Sequence, residues 1–299
     1  MGESGMGDSI DEHDVMAEET STVTDTSTPS GLSIVGSFVR REIATAIITV
    51  SSVVLTLVMI LILFGIMLVG GGFQAGYVAA IVDLLTPLQL LVPVVAIAFG
   101  YNAILGDQRR GGLDVLRTYP VSAWQVVVGV YLGRAIGVVM AIGLPLVLLF
   151  VPIATSETPR LPGYASHTGA DSPGLYLRLV VLTLLFALVV LALAVAISAL
   201  VSTTRGAIAG AGVALVALVL VLDLAVVYGF SMGFVGDSGL VSSIAFSPLS
   251  AYRGLVIETS VVVTAGTGPR AAAPIPSLLS LLVWGLGSLA VATVAVSRS

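Results

Sequence analysis

Polar and apolar positions divide this chain sharply. Residues 1–31 are mostly Ser, Thr, Asp, Glu and Gly, with one proline. Such a stretch buries too little apolar surface to offset chain entropy, so it is expected to form a disordered acidic tail. It lacks the basic start and apolar core of a secretory leader. Residues 32–299 are organised differently, with apolar runs at 43–69, 84–105, 126–151, 175–201, 207–230 and 275–296 separated by shorter, more polar connections. Each run is long enough, at about 1.5 Å per helical residue, to cross about 30 Å of hydrocarbon. Gly70, Gly71 and Gly72 break the chain between the first two runs. Pro87 and Pro93 fall inside the second, where a membrane helix tolerates them. The expected fold class is an all-α integral membrane protein with six transmembrane helices in one domain, 32–299, and both termini on one side.

Composition strengthens this picture and narrows the chemistry. Hydrophobic residues make up 57% of the chain and charged ones only 10%, against about 25% charged in a soluble domain. Mean hydropathy is +1.10. With no cysteine, neither a disulfide framework nor a thiolate metal site can form. Lysine is absent too, and all 12 basic residues are arginine. A phosphate-binding Walker loop needs its lysine, and so does a Schiff-base enzyme. The chain therefore carries no ATPase site of that type. Much of its acidity sits in the tail, where eight of the 17 acids lie within the first 25 residues.

Arginine placement gives the orientation, because basic residues are retained in the cytoplasm. Arg40, Arg41, Arg109, Arg110, Arg117, Arg205 and Arg298 fall on the side of the N-terminus; Arg160, Arg253 and Arg270 fall opposite. Both termini are expected to be cytoplasmic, with the chain multi-pass in the cell membrane.

The segment GDQRRGGLDVLRTYPVSAWQ, residues 106–125, is then a cytoplasmic connection between spans two and three. Ser122 and Gln125 have the spacing of a capping box, with Val121 and Val126 positioned as a hydrophobic staple, so span three should start at Ser122 at a fixed angle. Trp124 falls where interfacial aromatic residues belong. Residues 111–117 can form a short amphipathic helix, Leu113 and Leu116 on one face and Asp114 and Arg117 on another, ended by Pro120. A rigid amphipathic helix outside the bilayer suits docking of a partner; a plain connector obeying the charge rule is the simpler reading.

RRGGLDVLRTYPVSAWQVVVGVYLGR resembles the corresponding cytoplasmic segment of type-2 ABC transporter permeases. The similarity rests on Asp107, Arg109, Arg110, Gly112, Leu113, Leu116, Pro120, Val121, Ser122, Gly129 and Gly133. Asp107 stands where that family commonly has glutamate. Val130 follows Gly129 where the family often has lysine, and Arg134 is the nearest basic substitute. GSFVRREI resembles the amphipathic helix before span one, SALVSTTRGAIAG the tight link between spans four and five, and SPLSAYRGLVI a Pro-aromatic-Arg motif before the last span, notably in the branch serving nitrous-oxide-reductase maturation. The resemblance covers roughly residues 32–298.

It implies a transport subunit, not an enzyme, working by alternating access and leaning towards export. ATP and Mg would be bound by a separate ATP-binding cassette subunit, leaving no cofactor in this chain. A second permease subunit, identical or not, would complete the path, and no nucleic acid partner is implied. The coupling helix would present Leu113 and Leu116 as apolar anchors, with Asp107, Arg109, Arg110, Gly112, Arg117 and Pro120 around them.

Other features carry less. GDSGL at 236–240 resembles a serine-protease signature, but the only histidines, His13 and His167, lie outside every span. Asp83, Asp223 and Arg134 are intramembrane or near-interface charges and so candidates for a transport path. Glycine-rich runs such as GAIAGAG suit close helix packing. The segments 152–174 and 231–274 are expected to be external, the second with a short helix near 252–262 lying at the membrane surface. A membrane assembly or maturation factor without transport, or a six-span intramembrane enzyme, are the alternative functions.

Overall fold

A computed structural model of the chain describes residues 50–106, 122–156, 171–232, 244–263 and 272–298. Among these residues there are helices and short connections, and no strand. Six helices are long and apolar enough to cross a membrane. Span one is Val50–Gly70, span two Tyr77–Gly100, span three Ala123–Ala154, span four Pro173–Leu200 and span six Pro274–Arg298. Span five runs as an α-helix over Thr204–Val216, widens to a π-helix over Ala217–Val221, and returns to α over Leu222–Ser231.

The spans lie where the apolar runs place them, with one instructive shift. Span two starts at Tyr77, ahead of the expected 84, and so takes Asp83 inside the helix. The Asp171 carboxylate makes this start possible by accepting from the amides of Tyr77 at 3.1 Å and Val78 at 3.0 Å. A helix N-terminus has unsatisfied amides and a partial positive charge, and a carboxylate answers both. The turn from span one needs glycine at two positions, Gly71 at φ 68° and Gly76 at φ 99°.

Span four is the central helix. It is largely buried and packs most extensively against spans two and six, then against span three. Spans one, five and six leave most of their apolar surface outward, as lipid-facing helices do. The first residues of spans three and five and the last of spans two, four and six share one end of the bundle, here called the loop end because residues 107–121 connect there. At the far end lie Gly70–Tyr77, Ala154, Pro173 and Pro274.

The segment before span six departs from expectation. Pro248–Val256 is a helix, continued as a π-helix over Ile257–Val262, but it does not lie at the membrane surface. It inserts into the bundle and touches spans two, four, five and six. Pro248, Leu249, Ala251, Tyr252, Gly254, Leu255 and Val256 are all buried. The segment is amphipathic enough for a surface position; what draws it inward is the contact its buried face makes with those spans, far away in sequence.

Candidate functional site

Three spans converge on the last turn of span two, where the chain leaves the bundle for residues 107–121. Gly100 allows the closest approach: a Cβ there would stand 2.5 Å from the Cβ of Ala194 on span four. Ser198, one turn further along span four and fully buried, presents its Oγ to the amides of Ile104 at 3.0 Å and Leu105 at 3.2 Å. From span three, Arg134 Nη1 donates to the Phe99 carbonyl at 2.7 Å. These contacts occupy backbone groups that a helix end otherwise leaves open. Asn102 Oδ1 is buried there without a hydrogen-bond partner among the described residues.

The other side of the connection is fixed as well. The Ser122 amide donates to Gln125 Oε1 at 2.9 Å, the Gln half of the expected capping box, and span three starts at Ala123. Trp124 is half exposed beside this cap. Asp107, Arg109, Arg110, Gly112, Leu113, Leu116, Arg117 and Pro120 lie outside the described residues, as do Val121, GDSGL and both histidines.

The three membrane charges singled out in the sequence are not gathered at one place. Arg134 belongs to the loop end. Asp83 is 16 positions before Phe99 on the same helix, about 24 Å away. Its Oδ2 lies beside the glycine turn, where a Cβ at Gly70 or Gly72 would stand 3.3 or 3.0 Å from it. Asp223, in span five, accepts from Ser250 Oγ of the inserted helix at 2.8 Å.

The inserted helix is the part of the site that sequence reasoning missed. Ser247 is its N-cap, accepting from the Ser250 amide at 3.4 Å, with Pro248 at the first helical position. Tyr252 is fully buried and stacks on Phe186 of span four, centroids 4.7 Å apart and planes 4° apart. Its hydroxyl lies 2.9 Å from Thr183 Oγ1, and because Thr183 donates to the Leu179 carbonyl at 2.7 Å, Tyr252 is the donor. Trp284 Nε1 of span six donates to the Phe246 carbonyl at 3.0 Å. Towards the far end, Arg178 Nη1 donates to the Thr259 carbonyl at 2.6 Å, and Glu258 accepts from the Ala272 amide at 3.4 Å. The helix therefore rises from mid-bundle, level with Thr183–Phe186, to the far end. Arg253 follows the anchored tyrosine, yet its side chain is exposed. The sequence signals were Ser247-Pro248 as a helix start and apolar positions 249, 252 and 256 on one face, with Arg253 off that face.

Beyond this helix, spans four, five and six enclose an apolar crevice of about 1030 Å³, lined by residues including Ile197, Val226, Phe246 and Trp284. Among the described residues no group of three or more His, Asp or Glu could hold a metal ion.

Comparison with known proteins agrees with this architecture. The "Probable ABC transporter permease protein NosY" of Pseudomonas aeruginosa is 28% identical over 254 residues, spanning 79% of this chain and 90% of that protein. The protein of the same name from Stutzerimonas stutzeri is 31% identical over 64 residues, 21% of this chain and 23% of that one. Residues 73–299 match the family described as "ABC-2 family transporter protein". A six-span helical bundle matched over that much of its length belongs to the ABC-2 transporter family, as a membrane subunit of an ABC transporter.

Proposed function

We propose that the chain is a permease half that moves its substrate, in the export direction, by alternating access driven by a separate ATPase subunit docked on residues 106–125. The loop end is then cytoplasmic, as the arginine bias implies. A second permease copy completes the path, and ATP and Mg are bound by the ATPase partner, in keeping with the absence of lysine here.

The observation that carries this reading is the fastening on both sides of residues 107–121. Span two is tied to spans three and four through Phe99, Gly100, Ile104 and Leu105, and span three is capped at Ser122. A loose connector needs no such ties. A segment that must transmit force from a docked protein needs them at both ends, because compliance there would absorb the motion.

Leu113 and Leu116 serve as the anchors and Arg109, Arg110 and Arg117 as the charged rim. Changing both leucines to Asp should leave the permease inserted, since these positions lie outside the bilayer. Docking should be lost, because an unpaired charge in an apolar groove costs several kcal/mol. The measurement is co-purification of an ATPase subunit co-expressed with the permease. Normal yield with the double variant would refute docking at this segment. Arg109→Ala with Arg110→Ala should weaken docking less, and mostly at low salt.

A further inference from the structure

The observation that needs an explanation is an exposed guanidinium at the middle of a membrane bundle. Tyr252 is level with Thr183 and Phe186, near the centre of the 28-residue span four, so Arg253 is too. Its helix touches the π segment at the middle of span five, which gives the same depth. No described residue forms an ion pair or hydrogen bond with the Arg253 side chain, which is exposed. Arginine facing lipid at this depth costs about 3 kcal/mol or more. Nor is this helix free to rotate the charge away. Tyr252, the neighbouring residue, is fixed by its ring stack and hydroxyl, Ser250 by Asp223, and Phe246 by Trp284.

We infer that the inserted helix walls a water-filled vestibule reaching from the far end to mid-bundle, and that Arg253 is its binding group for an anionic substrate such as a carboxylate or phosphate compound. Water removes the desolvation cost of the free protein. An anion then meets a positive group backed by a low-dielectric wall, where its attraction exceeds that in bulk solvent. The planar guanidinium offers paired donors to a carboxylate or phosphate. Asp223 is the nearby opposite charge and keeps it while accepting from Ser250, one turn before Arg253; among the described residues no ion pair joins the two, and Asp223 is half-buried while Arg253 is exposed. Glu258 and Arg178 lie towards the far end, each already engaged with backbone. This goes beyond the permease reading by naming a substrate class, and its test needs no ATPase.

Because the chain has no cysteine, single cysteines report on it without background. Arg253→Cys, in membrane fragments open on both faces, should react with charged thiosulfonate reagents. Leu57→Cys, on the exposed face of span one, should not. A second reporter, Ile257→Cys, lies one turn along the same helix and measures the local potential through the ratio of its rates with an anionic and a cationic thiosulfonate. Adding Arg253→Gln should lower that ratio on the order of tenfold, from one unit charge lost at helical-turn distance. Arg253→Lys should keep the ratio, which separates charge from misfolding. If Arg253→Cys is as unreactive as Leu57→Cys, the guanidinium is covered, by a second copy or by lipid, and the vestibule is wrong. If the vestibule reacts but the ratio ignores Arg253→Gln, the anion site is wrong. Either result leaves docking of the ATPase at residues 106–125 untouched.

Discussion

Gly100→Ala is the sharpest test of the junction between spans two and four. The added Cβ would stand 2.5 Å from Ala194 Cβ, 3.2 Å from Leu191 Cδ1 and 3.4 Å from the Ala194 backbone carbon. Leu191 can turn aside, but Ala194 cannot, since its Cβ is fixed by the helix backbone. Ordinary carbon contact begins about 1 Å further out, so the helices must separate by about that much. Overpacking of this kind costs about 1–3 kcal/mol. The same separation would stretch the Ser198 bonds to Ile104 and Leu105, now 3.0 and 3.2 Å, past useful length. Ala194→Gly removes the obstacle, so the double variant should recover most of the loss, beyond the cost of about 1 kcal/mol for a helical glycine. Gly65→Ala, which meets nothing within 4 Å, is the control. Unfolding free energies from dodecyl sulfate titration in mixed micelles give the four values. If Gly100→Ala behaves like Gly65→Ala, or if the losses at 100 and 194 simply add, the close contact does not exist.

Three further outcomes are expected. Tyr252→Phe should cost about 1 kcal/mol by removing the hydroxyl donor to Thr183, whereas Tyr252→Ala should cost about 3–5 kcal/mol by leaving a cavity against Phe186; equal losses in the same titration would mean that the ring stack contributes nothing. Asp171→Ala should cost about 1–2 kcal/mol and speed amide exchange at Tyr77 and Val78 specifically, because it uncaps span two; unchanged exchange at those two amides would refute the cap. Ser198→Ala leaves two buried amides unpaired, at about 1–3 kcal/mol, and should lower transport-coupled ATP hydrolysis more than ATPase binding. Equal loss of both would point to simple unfolding.

What was legible in the sequence follows from how far each signal reaches along the chain. Apolar runs report lipid directly, so all six spans could be placed, and the Ser122–Gln125 spacing located the start of span three because a capping box is local chemistry. The start of span two was obscured because its cap, Asp171, is 94 positions from Tyr77. Asp83 then looked like an end when it lies in the second turn. For the inserted helix, the local pattern gave the helix but not its depth. Depth depends on Phe186 and Thr183 offering Tyr252 a ring and a hydroxyl, and nothing in the sequence between 244 and 263 records those partners. The proposed coupling residues within 107–120 were read from pattern and resemblance, and Arg134 alone among nearby candidates lies within the described structure, where it binds the end of span two.

Span four joins the two halves of the site mechanically. Ser198 holds the end of span two, and 15 residues away Thr183 bonds Tyr252, a separation of about 22 Å along the axis. No proline, glycine or π segment interrupts those residues, so the helix has no hinge between the two attachments. It should act as a lever arm. A tilt of about 5° imposed at the Ser198 end would carry the Thr183 end sideways by about 2 Å over that axial length. That is enough to break the 2.9 Å bond to Tyr252 unless the inserted helix moves with it. The loop end and mid-bundle are thus joined through one unbroken stretch of helix, and a small tilt at Ser198 should reach the inserted helix without passing through the lipid-facing spans.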